Sequence, residues 1–138
     1  MPINHYQLFD AMPVPRLILQ VEADHHTVIA ECNVRAQEYF SRTRDQLIGK
    51  KLCEVMDSEN ARYFQQSFEV ALKHKKPVTI QALPSFPSTI RVHSFWINPV
   101  TDERGDVVYL DITAQPDAAS ESILQRERDD AMSLLTSI

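Results

Sequence analysis

Apolar positions along the chain follow two periods, one helical and one alternating. Asn4 to Met12 places Tyr6, Leu8, Phe9 and Met12 as the apolar positions of a short amphipathic helix, and Pro13 and Pro15 end it. Arg16-Leu-Ile-Leu-Gln-Val-Glu22 is aliphatic and β-branched and reads as a strand; Ala23 to His26 reads as its turn and Thr27 to Asn33 as the returning strand of a hairpin. Asn33 stands at an N-cap position before a helix over Val34 to Phe40. Thr43 and Gln46 have capping-box spacing and open another short helix, with Gly49 at its end. Lys51 to Met56 adds one more turn. Asp57 or Ser58 then caps the longest internal helix, about Glu59 to Lys75, whose stripe is Ala61, Phe64, Phe68, Ala71 and Leu72. Lys73, His74, Lys75 and Lys76 gather at its end, where the helix dipole favours cations, and Pro77 stops it.

Three strand-like runs follow: Val78 to Leu83, Thr89 to Ile97, and Val107 to Thr113. Asp102 to Asp106, with Gly105, makes the hairpin loop between the last two. Strands and helices in runs, without strict alternation, predict an antiparallel α+β domain. Strand Thr89 to Ile97 carries Ile90, Val92 and Trp96 on one face and Phe95 and Ile97 on the other. Two apolar faces imply that something covers the outer one, either the N-terminal helix through Tyr6, Leu8 and Phe9 or a second copy of the chain.

From Asp117 the pattern changes. Glu121 to Ile138 has no Pro or Gly, and Leu124, Ala131 and Ile138 repeat every seven residues with Leu134 and Leu135 between them. The expectation is a helix cut off in mid-pattern, forming a parallel two-helix coil or folding back on its own sheet. The expected division is a flanking helix over 1–12, a core over 13–116 and an exit helix over 117–138.

Composition narrows the chemistry. The chain has 138 residues, 43% hydrophobic, enough for one domain with its own core. Its formal charge of −5 argues against a nucleic-acid surface. No apolar run approaches the roughly 20 residues of a membrane span, and Met1-Pro-Ile-Asn-His5 lacks the basic start of a signal peptide. With two glycines, Gly49 and Gly105, a phosphate-cradling loop has no material. Cys32 and Cys53 form no CxxC and read as reduced thiols, consistent with a cytoplasmic location. His25 and His26 lie in a turn, and His74 ends the Lys-rich helix. Regular alternation puts His93 on the face of Phe95 and Ile97, lining the interior. No Ser or Cys comes with a convincing base and orienting acid, so no enzyme and no metal site are read here.

The element order and its punctuation resemble a PAS domain over about Phe9 to Thr113. Phe9-Asp-Ala-Met-Pro-Val-Pro-Arg-Leu-Ile-Leu19 is similar to the opening helix and first strand of PAS sensors. Ile29-Ala-Glu-Cys-Asn33, with Ala36, Phe40, Leu47-Ile-Gly49, Leu52 and Val55, resembles the family's second strand, Asn-initiated helix and Leu-x-Gly segment. Asn98-Pro-Val, Asp102 to Gly105 and Val107 to Thr113 resemble the closing hairpin and its Asp-Ile-Thr ending.

The resemblance implies a five-stranded antiparallel sheet with short helices and one long helix on one face. It implies a ligand space among Phe64, Phe68, His93, Phe95, Ile97 and Leu110, for which simple core packing is the alternative. Asp111 and Thr113 would relay a signal from the last strand into the exit helix. Tyr6, Phe9, Ile90, Val92, Trp96, Leu124, Ala131, Leu135 and Ile138 would form a homodimer or partner surface. Lys51-Leu-Cys53-Glu-Val lacks the Asn-Cys-Arg-Phe-Leu of flavin photosensors, and His74, at the helix tip, is poorly placed as a haem ligand. No cofactor is favoured. The implied role is a sensory and dimerisation module controlling an attached output domain, with a GGDEF diguanylate cyclase favoured; the alternatives are a histidine kinase or an interaction module of a transcription regulator. Ala114-Gln-Pro116-Asp departs from relatives in which a helix follows Asp-Ile-Thr at once. The exit helix is therefore expected to start afresh at Asp117 or Ser120, with room for a hinge.

Overall fold

The computed structural model describes residues 3–81, 86–88 and 90–116. In chain order the elements are α1 (His5–Asp10), β1 (Arg16–Val21), β2 (Thr27–Cys32), α2 (Val34–Phe40), α3 (Arg44–Leu47), α4 (Leu52–Val55), α5 (Ser58–His74), β3 (Val78–Gln81), β4 (Val92–Thr101) and β5 (Val107–Pro116). The strands form one five-stranded antiparallel sheet in the order β2-β1-β5-β4-β3.

Two helix starts follow the predicted caps: Asn33 Oδ1 accepts from Ala36 N–H at 2.9 Å and Asp57 Oδ2 from Asn60 N–H at 3.1 Å. Asn4, expected as the first residue of its helix, is the cap of α1, its Oδ1 accepting from Gln7 N–H at 3.0 Å. Gln46 Oε1 accepts from Thr43 N–H at 2.9 Å. Gly49 has φ +80, a left-handed turn that costs a glycine little. That turn lets Gly49 N–H donate to Ile29 O at 2.7 Å and Lys50 O accept from Ile29 N–H at 2.8 Å, so the loop after α3 covers the free edge of β2.

The inner sheet face presents Leu17, Leu19, Ile29, Phe95, Ile97, Leu110, Ile112 and Ala114, all buried, to Phe64, Phe68, Ala71 and Leu72 of α5 and to Leu47, Leu52 and Val55. Each large aliphatic or aromatic side chain buried there stabilises the fold by about 1.5–3 kcal/mol. On the outer face, Arg16 stands opposite Thr113 and Ile18 opposite Asp111. There α1 approaches the sheet, with Phe9 over the Arg16 guanidinium.

The strands differ from expectation in three places. First, β5 runs on to Pro116: Ala114 is buried and its N–H donates to Pro15 O at 2.9 Å, so these residues extend the sheet. Second, β4 spans Val92–Thr101, with Pro99 beyond the last β3 pairing, Val78 with Ile97, where a missing N–H is tolerated. Third, β4 carries a bulge. Val92 pairs with Pro116 and Ser94 with Gln115, which leaves His93 as the extra residue. An inserted residue breaks the alternation that would put His93 beside Phe95. His93 is exposed, and Val92 and Ile90 turn to pack against the core. The expected outer patch of Ile90, Val92 and Trp96 therefore reduces to Trp96, which is 51% exposed. Phe9 is buried rather than free for a partner. The exit helix, with Leu124, Ala131, Leu135 and Ile138, lies outside the described residues.

Candidate functional site

Asn33 organises the wall between sheet and helices. It is fully buried. Its Oδ1 accepts from both Arg16 N–H and Ala36 N–H, each at 2.9 Å, and its Nδ2 donates to Val14 O at 2.8 Å. Three segments, the α1–β1 link, β1 and α2, are thereby held by one amide. The α2 start fixed in this way turns Tyr39 into the core, where it stacks on Phe86 (centroids 4.8 Å apart) and meets Phe95 edge-on at 5.8 Å. Phe64 meets Phe95 edge-on at 4.9 Å. Such pairs add about 0.5–1.5 kcal/mol each beyond area burial.

These rings close around a cavity of about 20 Å³ whose wall includes Ala36, Tyr39, Phe40, Leu52, Phe64 and Phe95. That is small against the roughly 300–1,000 Å³ of a small-molecule site. Of the expected ligand residues, Phe64 and Phe95 line it. Phe68, Ile97 and Leu110 sit in packed core, and His93 is outside on the bulge. Sequence reasoning missed the helical part of the wall, Tyr39 and Phe40 above all. The signal that could have found it is two adjacent aromatics in the last turn of the Asn33-capped helix.

Titration follows burial here. Burial pushes the Tyr39 hydroxyl well above its ordinary range. The Cys32 thiol is pushed up to about 11, by burial first, against an opposing pull from Arg44. Arg44 itself binds both Glu31 oxygens, Nη2 to Oε1 at 2.7 Å and to Oε2 at 3.0 Å. Among the described residues, no three His, Cys, Asp or Glu side chains gather to hold a metal.

The outer face holds the expected relay residues. Asp111 accepts from Arg16 at both oxygens, Nε to Oδ1 at 2.9 Å and Nη2 to Oδ2 at 2.6 Å. This bidentate pair, partly shielded from water, raises the guanidinium pKa, chiefly through the hydrogen bond to Asp111. Thr113 lies between Arg16 and Trp96 in the cross-strand register. Trp96, Val100 and Tyr109 form the exposed apolar part of this face, and Tyr6 and Leu8 are exposed on α1.

Sheet order, the Asn33-capped helix and the long α5 across the inner face set the frame for comparison. The family described as PAS fold matches residues 9–116. The chain belongs to the PAS fold family. PAS domains are sensory modules, so the chain is a sensory domain. Among solved structures it is similar to the PAS domain of Bordetella pertussis BvgS, at 19% identity over 92% of this chain and 93% of that one, with a TM-score of 0.64. It is also similar to a sensory box sensor histidine kinase from Vibrio cholerae, at 17% identity over 82% and 88% of the two chains, TM-score 0.63. A third likeness is to the Vibrio cholerae VqmA dimer, described with LuxR-type receptors, at 16% identity over 87% of this chain and 53% of that one, TM-score 0.65. At these identities the likeness is one of fold. No curated protein matches the chain. No helix among the described residues is long and apolar enough to cross a membrane.

Proposed function

We propose that this PAS domain is a cytoplasmic sensory and dimerisation module that passes a signal from its core and sheet to an attached output domain. The observation that carries this reading is the position of β5. Its inner face (Leu110, Ile112, Ala114) packs in the core, its outer face carries Asp111 and Thr113, and it leads to the C-terminal segment. A change in core packing shifts the same strand that carries the relay residues. Two arrangements separated by a few kcal/mol would serve as the switch.

Dimerisation would use Trp96, Val100 and Tyr109 of the sheet, with Tyr6 and Leu8 of α1 at its margin, and the heptad repeat from Leu124 to Ile138 would extend it. VqmA, of the same fold, is described as a dimer. On the family resemblance the output domain is a GGDEF diguanylate cyclase. A histidine kinase is the second reading, favoured by the likeness to the Vibrio sensor kinase. Sedimentation velocity of the whole chain tests the surface. Wild type is expected as a dimer and Trp96→Glu with Tyr109→Lys as a monomer; equal association in both would remove the sheet from the interface.

A further inference from the structure

Arg16 connects four elements. It belongs to β1, and its main chain is tied to the α2 cap, N–H to Asn33 Oδ1 at 2.9 Å and O from Asn33 N–H at 3.1 Å. Its side chain divides its groups among the rest. Nε and Nη2 go to Asp111 of β5, and Nη1 donates to Met12 Sδ at 3.4 Å. The guanidinium carbon lies over the Phe9 ring, 5.2 Å from its centroid. Helix α1 has only six residues, far below the length at which a helix holds itself in water. Its place therefore depends on tertiary contacts, and one of these, from the buried Phe9, runs to this guanidinium, which also holds Met12 in the link just after the helix. A carboxylate bound at two oxygens fixes the plane and position of that guanidinium and so fixes where the charge stands over Phe9.

We infer that Arg16 is a latch holding α1 on the outer sheet face, and that Asp111 of β5 governs α1 through Arg16. Coupling of this kind is reciprocal: releasing α1 loosens the hold on β5, and displacing Asp111 frees α1. A partner that pulls α1 away would thus act on the strand that leads out of the domain. Arg16 is a positioning residue here. The latch belongs to residues 5–116 and needs no output domain, so its failure and a failure of the relay are read in separate experiments.

Amide exchange on the whole chain tests it, read at Leu8 and Ala11 of the α1 region, with α5 amides as the internal standard. Phe9→Leu, Asp111→Asn and the double variant are compared in the wild-type and Arg16→Met backgrounds. Asp111→Asn is expected to speed α1 exchange two- to fivefold and leave α5 unchanged. The double variant should fall short of the product of the two singles. With Arg16→Met, Asp111→Asn should have no further effect on α1. Unchanged α1 exchange in Asp111→Asn, an undiminished effect in the Arg16→Met background, or equal acceleration of α5 would each overturn the latch. If Arg16→Met does not fold, Arg16→Lys, which keeps the charge and loses the two-point grip, supplies the background under the same criteria.

Discussion

Replacing Asn33 by Ala would strike the centre of the fold. The substitution strips the acceptor from two main-chain N–H groups, Arg16 and Ala36, and the donor from Val14 O. Each net hydrogen bond is worth about 1 kcal/mol, a donor left buried without a partner costs about 1–3, and loss of an N-cap alone costs about 1. Together these give a loss of about 3–5 kcal/mol, a large share of the 5–15 kcal/mol typical of a domain. Urea unfolding reads it directly. With a slope of about 1–3 kcal/mol per molar for a small protein, the midpoint should drop by more than about 1 M at unchanged slope. Asn33→Ser keeps a capping oxygen for Ala36 and should fall between wild type and Ala. Asn60 provides the contrast: it is almost as buried, but its side chain makes one hydrogen bond, Nδ2 to Asp57 Oδ1, and its Oδ1 has no partner among the described residues. Asn60→Ala should therefore cost less than half as much. A loss below about 1 kcal/mol for Asn33→Ala, or equal losses at the two sites, would refute the reasoning.

Two further outcomes follow from the interior. Removing Phe64 joins its volume to the small cavity, so Phe64→Ala should lose about 3–5 kcal/mol and gain a dry hole that admits benzene; a thermal midpoint raised by benzene in the variant and not in wild type checks this. Cys32 titrates at about 11 in the folded chain against an ordinary 9.0. Between those values the unfolded chain has already lost a proton that the folded chain keeps. Stability therefore falls as pH rises through the window, by about 1.4 kcal/mol for each pH step of one. Unfolding of wild type and Cys32→Ala across pH 9 to 11 should show their difference shrink; a constant difference would place the thiol in water.

The elements were legible because their punctuation is local. Asn33, Asp57 and Gly49 mark boundaries whatever lies elsewhere in the chain, and the stripe of α5 names its own buried face. His93 departs from expectation because alternation assumes an unbroken strand, and a bulge is set by the partner strand's register rather than by the bulged sequence. One inserted residue moves His93 out and Val92 in, removing most of the apolar outer patch expected from β4. The cavity was half legible: periodicity turned Phe64 and Phe95 inward and the family resemblance put them in a ligand space, whereas Tyr39 and Phe40 reach it through the crossing of α2 over the sheet. Arg16 and Asp111 stand 95 residues apart, and each alone looks like an ordinary strand-end charge. Only the antiparallel pairing of β1 with β5 brings them together.

The central claim is that β5 carries a signal from this domain to the chemistry it controls. Its most direct test is the output activity of the full-length protein carrying Asp111→Ala, compared with wild type at equal protein level and equal oligomeric state. A change of at least threefold in either direction is predicted, with sheet and helix content unaltered. Output equal to wild type, with the Arg16–Asp111 pair gone, would contradict the account.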